Sequence, residues 1–169
     1  LRQRDPQLQF ITPMAGDRQM AFFEEQIRQG GYEDLGISVI RGQSHSAMEA
    51  SDAVLVASGT ASLEVALYKK PMVISYKVNW ASYQIMRHMA YQPWVGLPNI
   101  LARDFLVPEL LQHQATPQAL ADAMWHQLED HAHQQRLVRR FADMHHSLLR
   151  DTSRESANAV CEVIGARRR

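Results

Sequence analysis

The sequence predicts an α/β fold, a mainly parallel sheet with flanking helices followed by C-terminal helices, on three observations. Strand-like and helix-like segments alternate through the first two thirds of the chain, the pattern of strands joined by helical crossovers. The run Ala53 to Ala57 is continuously apolar, as suits a strand covered on both faces. That run passes straight into Ser58-Gly59-Thr60, a turn of the kind that opens a helix, and from Phe105 onward the pattern is helical.

Leu8 to Thr12 reads as the first strand, and Asp17 to Gln29 as a helix closed by Gly30-Gly31, since glycine readily takes the left-handed backbone that ends a helix. Ile37 to Arg41 is a second strand. Ser46 with Glu49 three residues later forms a capping box for a short helix before the Asp52 turn. The apolar central strand and its Ser-Gly-Thr helix come next, then a strand from Pro71 to Tyr76, a helix from Asn79 to Tyr91 and a short final strand from Val95 to Leu97. Thr116-Pro117 is an N-cap followed by proline at the first helical position, and further helices span 131–150 and 152–166.

The Ser58-Gly59-Thr60 turn has the outline of a phosphate site. Gly59 lets backbone approach a ligand closely, Ser58 and Thr60 add hydroxyl donors, and the free N–H groups and positive dipole end of the helix face any anion placed there. Such turns also arise simply because they cap helices well. Glu64 lies four residues after Thr60, on the same helix face and about 6 Å along the axis. A carboxylate at that offset suits the two ribose hydroxyls of a nucleotide whose phosphates sit at the helix tip. Doubly wound sheets bind ligands at the carboxyl ends of their strands, and the Ser58 turn, the Asn79 region and the Pro98-Asn99 loop all fall at such ends. Asn99 offers an amide that donates and accepts, suited either to a ligand or to a turn holding the loop's own backbone.

With 18 basic and 18 acidic side chains the formal charge is zero, which argues against a nucleic-acid binder working by phosphate neutralisation. One cysteine, Cys161, excludes an internal disulfide framework, fits a reducing cytosol and reads as small helix packing. No stretch approaches the ~20 apolar residues of a membrane span. Five histidines crowd the C-terminal helices, His126, His131, His133, His145 and His146, but neighbours one or two apart point in different directions on a helix, so no metal site is expected. In the 79–91 helix, Val78, Ala81, Ile85 and Met89 form a core stripe, while Trp80, Tyr83, Arg87 and Tyr91 fall opposite. Aromatic residues beside a cation suit an interface or a bilayer headgroup layer, and equally burial against another helix or domain.

The segments Ser51-Asp52-Ala53, Ala57-Ser58-Gly59-Thr60-Ala61, Leu63-Glu64, Lys70-Pro71-Met72-Val73, Leu97-Pro98-Asn99-Ile100-Leu101-Ala102 and Val107-Pro108-Glu109-Leu110-Leu111-Gln112 occur in an order and spacing that resembles the C-terminal half of lipid-A-disaccharide synthases. These are inverting glycosyltransferases of the two-domain GT-B fold, and the resemblance runs from about residue 5 to the end. It implies a Rossmann-like UDP-sugar-binding domain over residues 1–115, with the helices of 116–169 packing on it or on a partner domain. It implies a UDP-diacylglucosamine donor, a diacylglucosamine 1-phosphate acceptor, release of UDP, and no cofactor or metal. It places Asn99 near the sugar or diphosphate, and Gly42, Ser44 and His45 in the region facing uracil.

The resemblance also implies an upstream acceptor-binding domain carrying the general base, and an upstream Pro-Gly-Ser-Arg turn. Leu1 to Pro6 accordingly reads as the tail of a helix within a fragment. Localisation is expected to be cytoplasmic, with room for peripheral inner-membrane contact and a homodimer. Another UDP-sugar transferase or epimerase of the same fold, and a non-catalytic nucleotide-binding module, are the alternative functions.

Overall fold

The computed structural model describes residues 1–57, 59–80, 82–84 and 92–166. In chain order the strands are β1 (Phe10–Met14), β2 (Ile37–Arg41), β3 (Val54–Val56), β4 (Met72–Tyr76) and β5 (Glu109–Leu111). The helices numbered here are α1 (Asp17–Gly30), α2 (Ser44–Ala50), α3 (Thr60–Leu67), α4 (Leu97–Ala102), α5 (Pro117–Glu129), α6 (His131–Leu148) and α7 (Thr152–Ala166). Short 3-10 turns cover Glu33–Leu35 and Gln112–Gln114. Every strand pairing is parallel, as the α/β pattern requires, but the strands form a pair β1–β2 and a separate three-stranded sheet ordered β3–β4–β5.

β4 is the centre of the core. Met72, Val73 and Ile74 are all fully buried, so this strand is covered on both faces. Met72 and Ile74 pack with Val65 and Ala66 of α3, Leu106 and Val107 ahead of β5, and Leu137, Phe141 and Met144 of α6. Lys69, in left-handed backbone (φ 58°), strengthens the α3–α6 contact: its Nζ donates to Leu67 O and meets His145 Nδ1, each at 2.6 Å. α6 therefore belongs to the same core as the sheet. α7 is exposed along its described length, with Val160, Val163 and Ile164 on its surface. Cys161 lies exposed on this helix rather than in packing.

Several expected elements are corrected. Asp5 Oδ1 accepts from Gln7 N at 2.8 Å in a turn that delays β1 to Phe10, and residues 2–4 form a turn instead of a helix tail. Gly42 and Gln43, both left-handed (φ 63° and 56°), swing the chain into α2 early, so Ser46 lies inside the helix and no capping box forms. β3 is an edge strand of its sheet, and Leu55 stays 50% exposed instead of being covered on both faces. The region after Phe105 is not all helical, because β5 adds to the sheet beside β4. The 95–97 strand does not form: a carboxylate takes its amides and Leu97 opens α4.

Other expectations match closely. Gly31 ends α1 in left-handed backbone, Thr116 Oγ1 caps α5 by accepting from Ala119 N, and α6 and α7 lie within a few residues of their expected bounds. Of the expected 79–91 helix, Trp80 and residues 82–84 are helical, while Ala81, Ile85, Arg87, Met89 and Tyr91 lie outside the described residues. The rings of His126 and His133, on successive helices, stack 5.8 Å apart, an approach that spacing within one helix does not reveal.

Because Phe141 is fully buried in the shared core, Phe141→Ala should lower unfolding free energy by about 3–5 kcal/mol, read from urea denaturation. A change under about 1 kcal/mol would mean that α6 does not pack with the sheet in solution.

Candidate nucleotide site

At the carboxyl end of β3 the backbone of Gly59 adopts φ 111° and ψ −156°, a combination that a Cβ would strain. A Cβ built there meets nothing within 4 Å, so glycine is required by its backbone angles and the space beside it is open. Gly59 O accepts from both Ser62 N (3.2 Å) and Ser62 Oγ (2.8 Å), and Ser62 is fully buried. Those bonds draw the Gly59 carbonyl into the first turn of α3. No described side chain caps that helix, so its amino end, starting at the exposed Thr60, retains the donor and dipole character that attracts an anion. Ser58 lies outside the described residues.

One turn further along α3, the half-exposed Glu64 carboxylate approaches His45, with Oε2 3.5 Å from Nε2. The His45 ring also lies tilted against Tyr68, 5.9 Å between centroids. His45 sits in the first turn of α2, beyond Gly42 and beside the exposed Ser44, at the carboxyl end of β2. Gly42 N donates to Met14 O at 2.8 Å, so the ends of β1 and β2 are tied together. Two groups of candidates that the sequence presents separately, 42–45 and 59–64, thus meet through the contact between His45 and Glu64, which joins the helices that follow β2 and β3. Trp80 is 71% exposed and Tyr83 half-buried, whereas Arg87 is outside the described residues.

Asn99 is fully buried, near the start of α4. Its Oδ1 accepts from Val107 N at 3.1 Å, and its Nδ2 donates to Val107 O at 2.9 Å and to Glu109 Oε1 at 2.8 Å. The amide therefore ties the start of α4 to the Val107 backbone and to the Glu109 carboxylate.

Comparison with known proteins bears on the whole chain. The model of the lipid-A-disaccharide synthetase family matches residues 1–163. The chain belongs to that family. Among its relatives, the lipid-A-disaccharide synthase of Burkholderia mallei (strain SAVP1) is 48% identical over 168 residues, covering 99% of this chain and 43% of the relative. That of Paraburkholderia phymatum is 49% identical over 166 residues, or 98% and 42% of the two chains. The chain thus spans less than half the length of the relatives it matches.

In this lipid-A-disaccharide synthetase family member, two polar residues of the family-like run Val107 to Gln112, Glu109 and Gln112, have a role that the sequence did not reveal. Glu109 accepts from Val95 N and Gly96 N, both at 2.9 Å, as well as from Asn99. The available signal was a carboxylate inside the otherwise apolar run Val107 to Leu111, which a helical reading of the segment obscures. A cleft of about 390 Å³ opens elsewhere, between Asp5, Asp52, Trp125 and Glu129. Asp52 precedes β3, which puts this cleft at the opposite end of the strand from Gly59, and its three carboxylates repel a diphosphate. No helix among the described residues is long and apolar enough to cross a membrane.

Asn99→Asp would set a second carboxylate against Glu109 and remove the donor to Val107 O. It should cost about 3–5 kcal/mol at pH 7. Part of that loss should return by pH ~4, as the introduced carboxyl, buried beside a like charge and so raised above its ordinary range, takes up a proton and relieves the repulsion. Urea denaturation at both pH values checks this; equal stability of variant and parent at pH 7 contradicts the buried network.

Proposed function

We propose that this chain is the donor-nucleotide half of a glycosyltransferase of lipid A biosynthesis, condensing UDP-2,3-diacylglucosamine with 2,3-diacylglucosamine 1-phosphate and releasing UDP. The observation that carries the reading is the Gly59 turn feeding the amino end of α3, which no described side chain caps, with Glu64 one turn away, in a chain of this family. The diphosphate lies at Gly59 and Thr60, with Ser58 contributing from the same turn. Glu64 accepts from the ribose hydroxyls, and His45 with Gly42 and Ser44 borders the base. Asn99 acts at one remove, bonding Val107 and the Glu109 carboxylate that holds the turn before α4.

The chemistry follows from that placement. In an inverting transfer the acceptor hydroxyl attacks the anomeric carbon as UDP departs, so the donor half fixes the diphosphate and stabilises its growing negative charge. Backbone N–H groups at a helix end do so without reorganising at the moment of reaction. The general base and the acceptor site belong to a further domain. The exposed apolar residues of α7, Val160, Val163 and Ile164, suit packing against such a domain, and exposed Trp80 with Tyr83 suits contact with lipid or that domain. The enzyme works in the cytoplasm at the inner-membrane surface.

Titration of UDP against the chain should protect the Gly59 and Thr60 amides; perturbation confined to residues remote from this turn would show the site to be misplaced. Charge-assisted hydrogen bonds from two ribose hydroxyls are worth about 1.5–3 kcal/mol each. Glu64→Gln should therefore weaken UDP binding at least about tenfold, or about 1.4 kcal/mol. Parent and variant should bind 2′,3′-dideoxy-UDP almost equally. Equal affinity of both proteins for UDP itself would remove Glu64 from the site.

A further inference from the structure

We propose that Glu109 and Gln112 are positioning residues that hold Val78 and the Val95–Gly96 turn against β5 and thereby steady α4 and α3 beside the nucleotide site; the proposal rests on the donor-nucleotide reading above. Gln112, in left-handed backbone (φ 51°), turns its side-chain amide onto Val78. Its Oε1 accepts from Val78 N at 2.7 Å and its Nε2 donates to Val78 O at 3.0 Å. The side chain thus satisfies both backbone polar groups of Val78, as an antiparallel strand neighbour would, just past the end of the parallel β4–β5 ladder. Three residues earlier, Glu109 holds the other end of the stretch through the Val95 and Gly96 amides. One short strand therefore grips the chain where it leaves β4 and again where it returns to α4.

The place of these grips links them to the site. Ile74 is level with Val56 on one side and with Glu109 on the other, and Tyr76 is level with Leu111. The Gln112 grip thus lies just past the carboxyl ends of β4 and β5, and Glu109, which opens β5, is level with Ile74 and so with Val56, the last residue of β3 before the Gly59 turn. α4, which starts directly after Gly96, packs against α3. Gly96 itself sits so close to β4 that a Cβ would come within 2.2 Å of Ile74 Cδ1. A shift of the 95–96 turn is therefore passed to α4 and to the helix whose amino end faces the diphosphate.

The chemistry of Glu109 gives a specific way to loosen one grip. Its described partners are N–H donors: two backbone amides and the Asn99 Nδ2. A carboxylate can accept all of these, whereas a glutamine has one acceptor oxygen and turns an NH₂ toward a remaining N–H. The apolar burial of β4 does not depend on that group, so the turn loosens while the core persists.

The experiment uses the full chain, with UDP as the probe and amide hydrogen exchange as the structural readout. Glu109→Gln should speed exchange of the Val95 and Gly96 amides at least tenfold and weaken UDP binding at least fivefold. It should leave the Val54 amide, bonded to Pro71 O across the sheet, as protected as in the parent. Glu109→Asp, which keeps the carboxylate, should recover part of the affinity, and Gln112→Ala should weaken UDP binding in the same direction. Faster exchange at Val95 and Gly96 with unchanged UDP affinity overturns the proposal. So does an affinity loss that comes with lost Val54 protection and is not recovered by Glu109→Asp, since that is a general loss of structure. If the parent chain itself fails to bind UDP, both this proposal and the donor-nucleotide reading fall; if the parent binds and the variants match it, this proposal alone falls.

Discussion

Everything in this structure depends on the burial of β4. A strand of five residues whose first three side chains are wholly removed from water needs packed elements on both faces, and α3, which carries the Gly59 turn and Glu64, is one of them. α3 and α6 close over Met72 and Ile74. β3 and β5 satisfy the backbone groups of β4 from either side. Once α3 is docked by Val65 and Ala66, its amino end has a fixed direction, and the Gly59 turn is presented at the strand ends with open space beside it.

Polar groups were accommodated around that apolar centre at few positions. Asn99 is wholly buried yet bonded at both ends of its amide, which removes the cost of an unpaired polar group in a low-dielectric interior. Glu109 serves as the acceptor for the Val95 and Gly96 amides of the turn before α4. The contrast with Glu64 is instructive. That carboxylate is half-exposed, and its described contact, with the His45 ring, is long at 3.5 Å, so little free energy holds it where it is and a ligand can compete for it. One carboxylate is committed to architecture and the other is available for recognition.

The alternation of elements, the Gly31 and Thr116 caps and the β2 span were legible because each depends on local backbone chemistry, in which a few neighbouring residues decide the outcome. β5 was not legible. Its three residues carry no helix or strand period of their own and become a strand only because β4 offers a free edge. Leu55 misled for the converse reason: an apolar run shows that a strand can be covered, and the neighbouring elements decide whether it is.

The same division holds for the site. By itself the sequence determined that a strand runs through a glycine turn into a helix, that Glu64 shares a face with Thr60, and which family the motifs resemble, since these follow from covalent order and fixed helical geometry. Only the tertiary structure decided that His45 of α2 meets Glu64 of α3, that Asn99 points inward to Val107, and that Glu109 and Gln112 grip two distant parts of the chain. Those outcomes belong to contacts between residues far apart in sequence, whose partners are chosen by which faces must be buried and which buried polar atoms must still find a hydrogen bond.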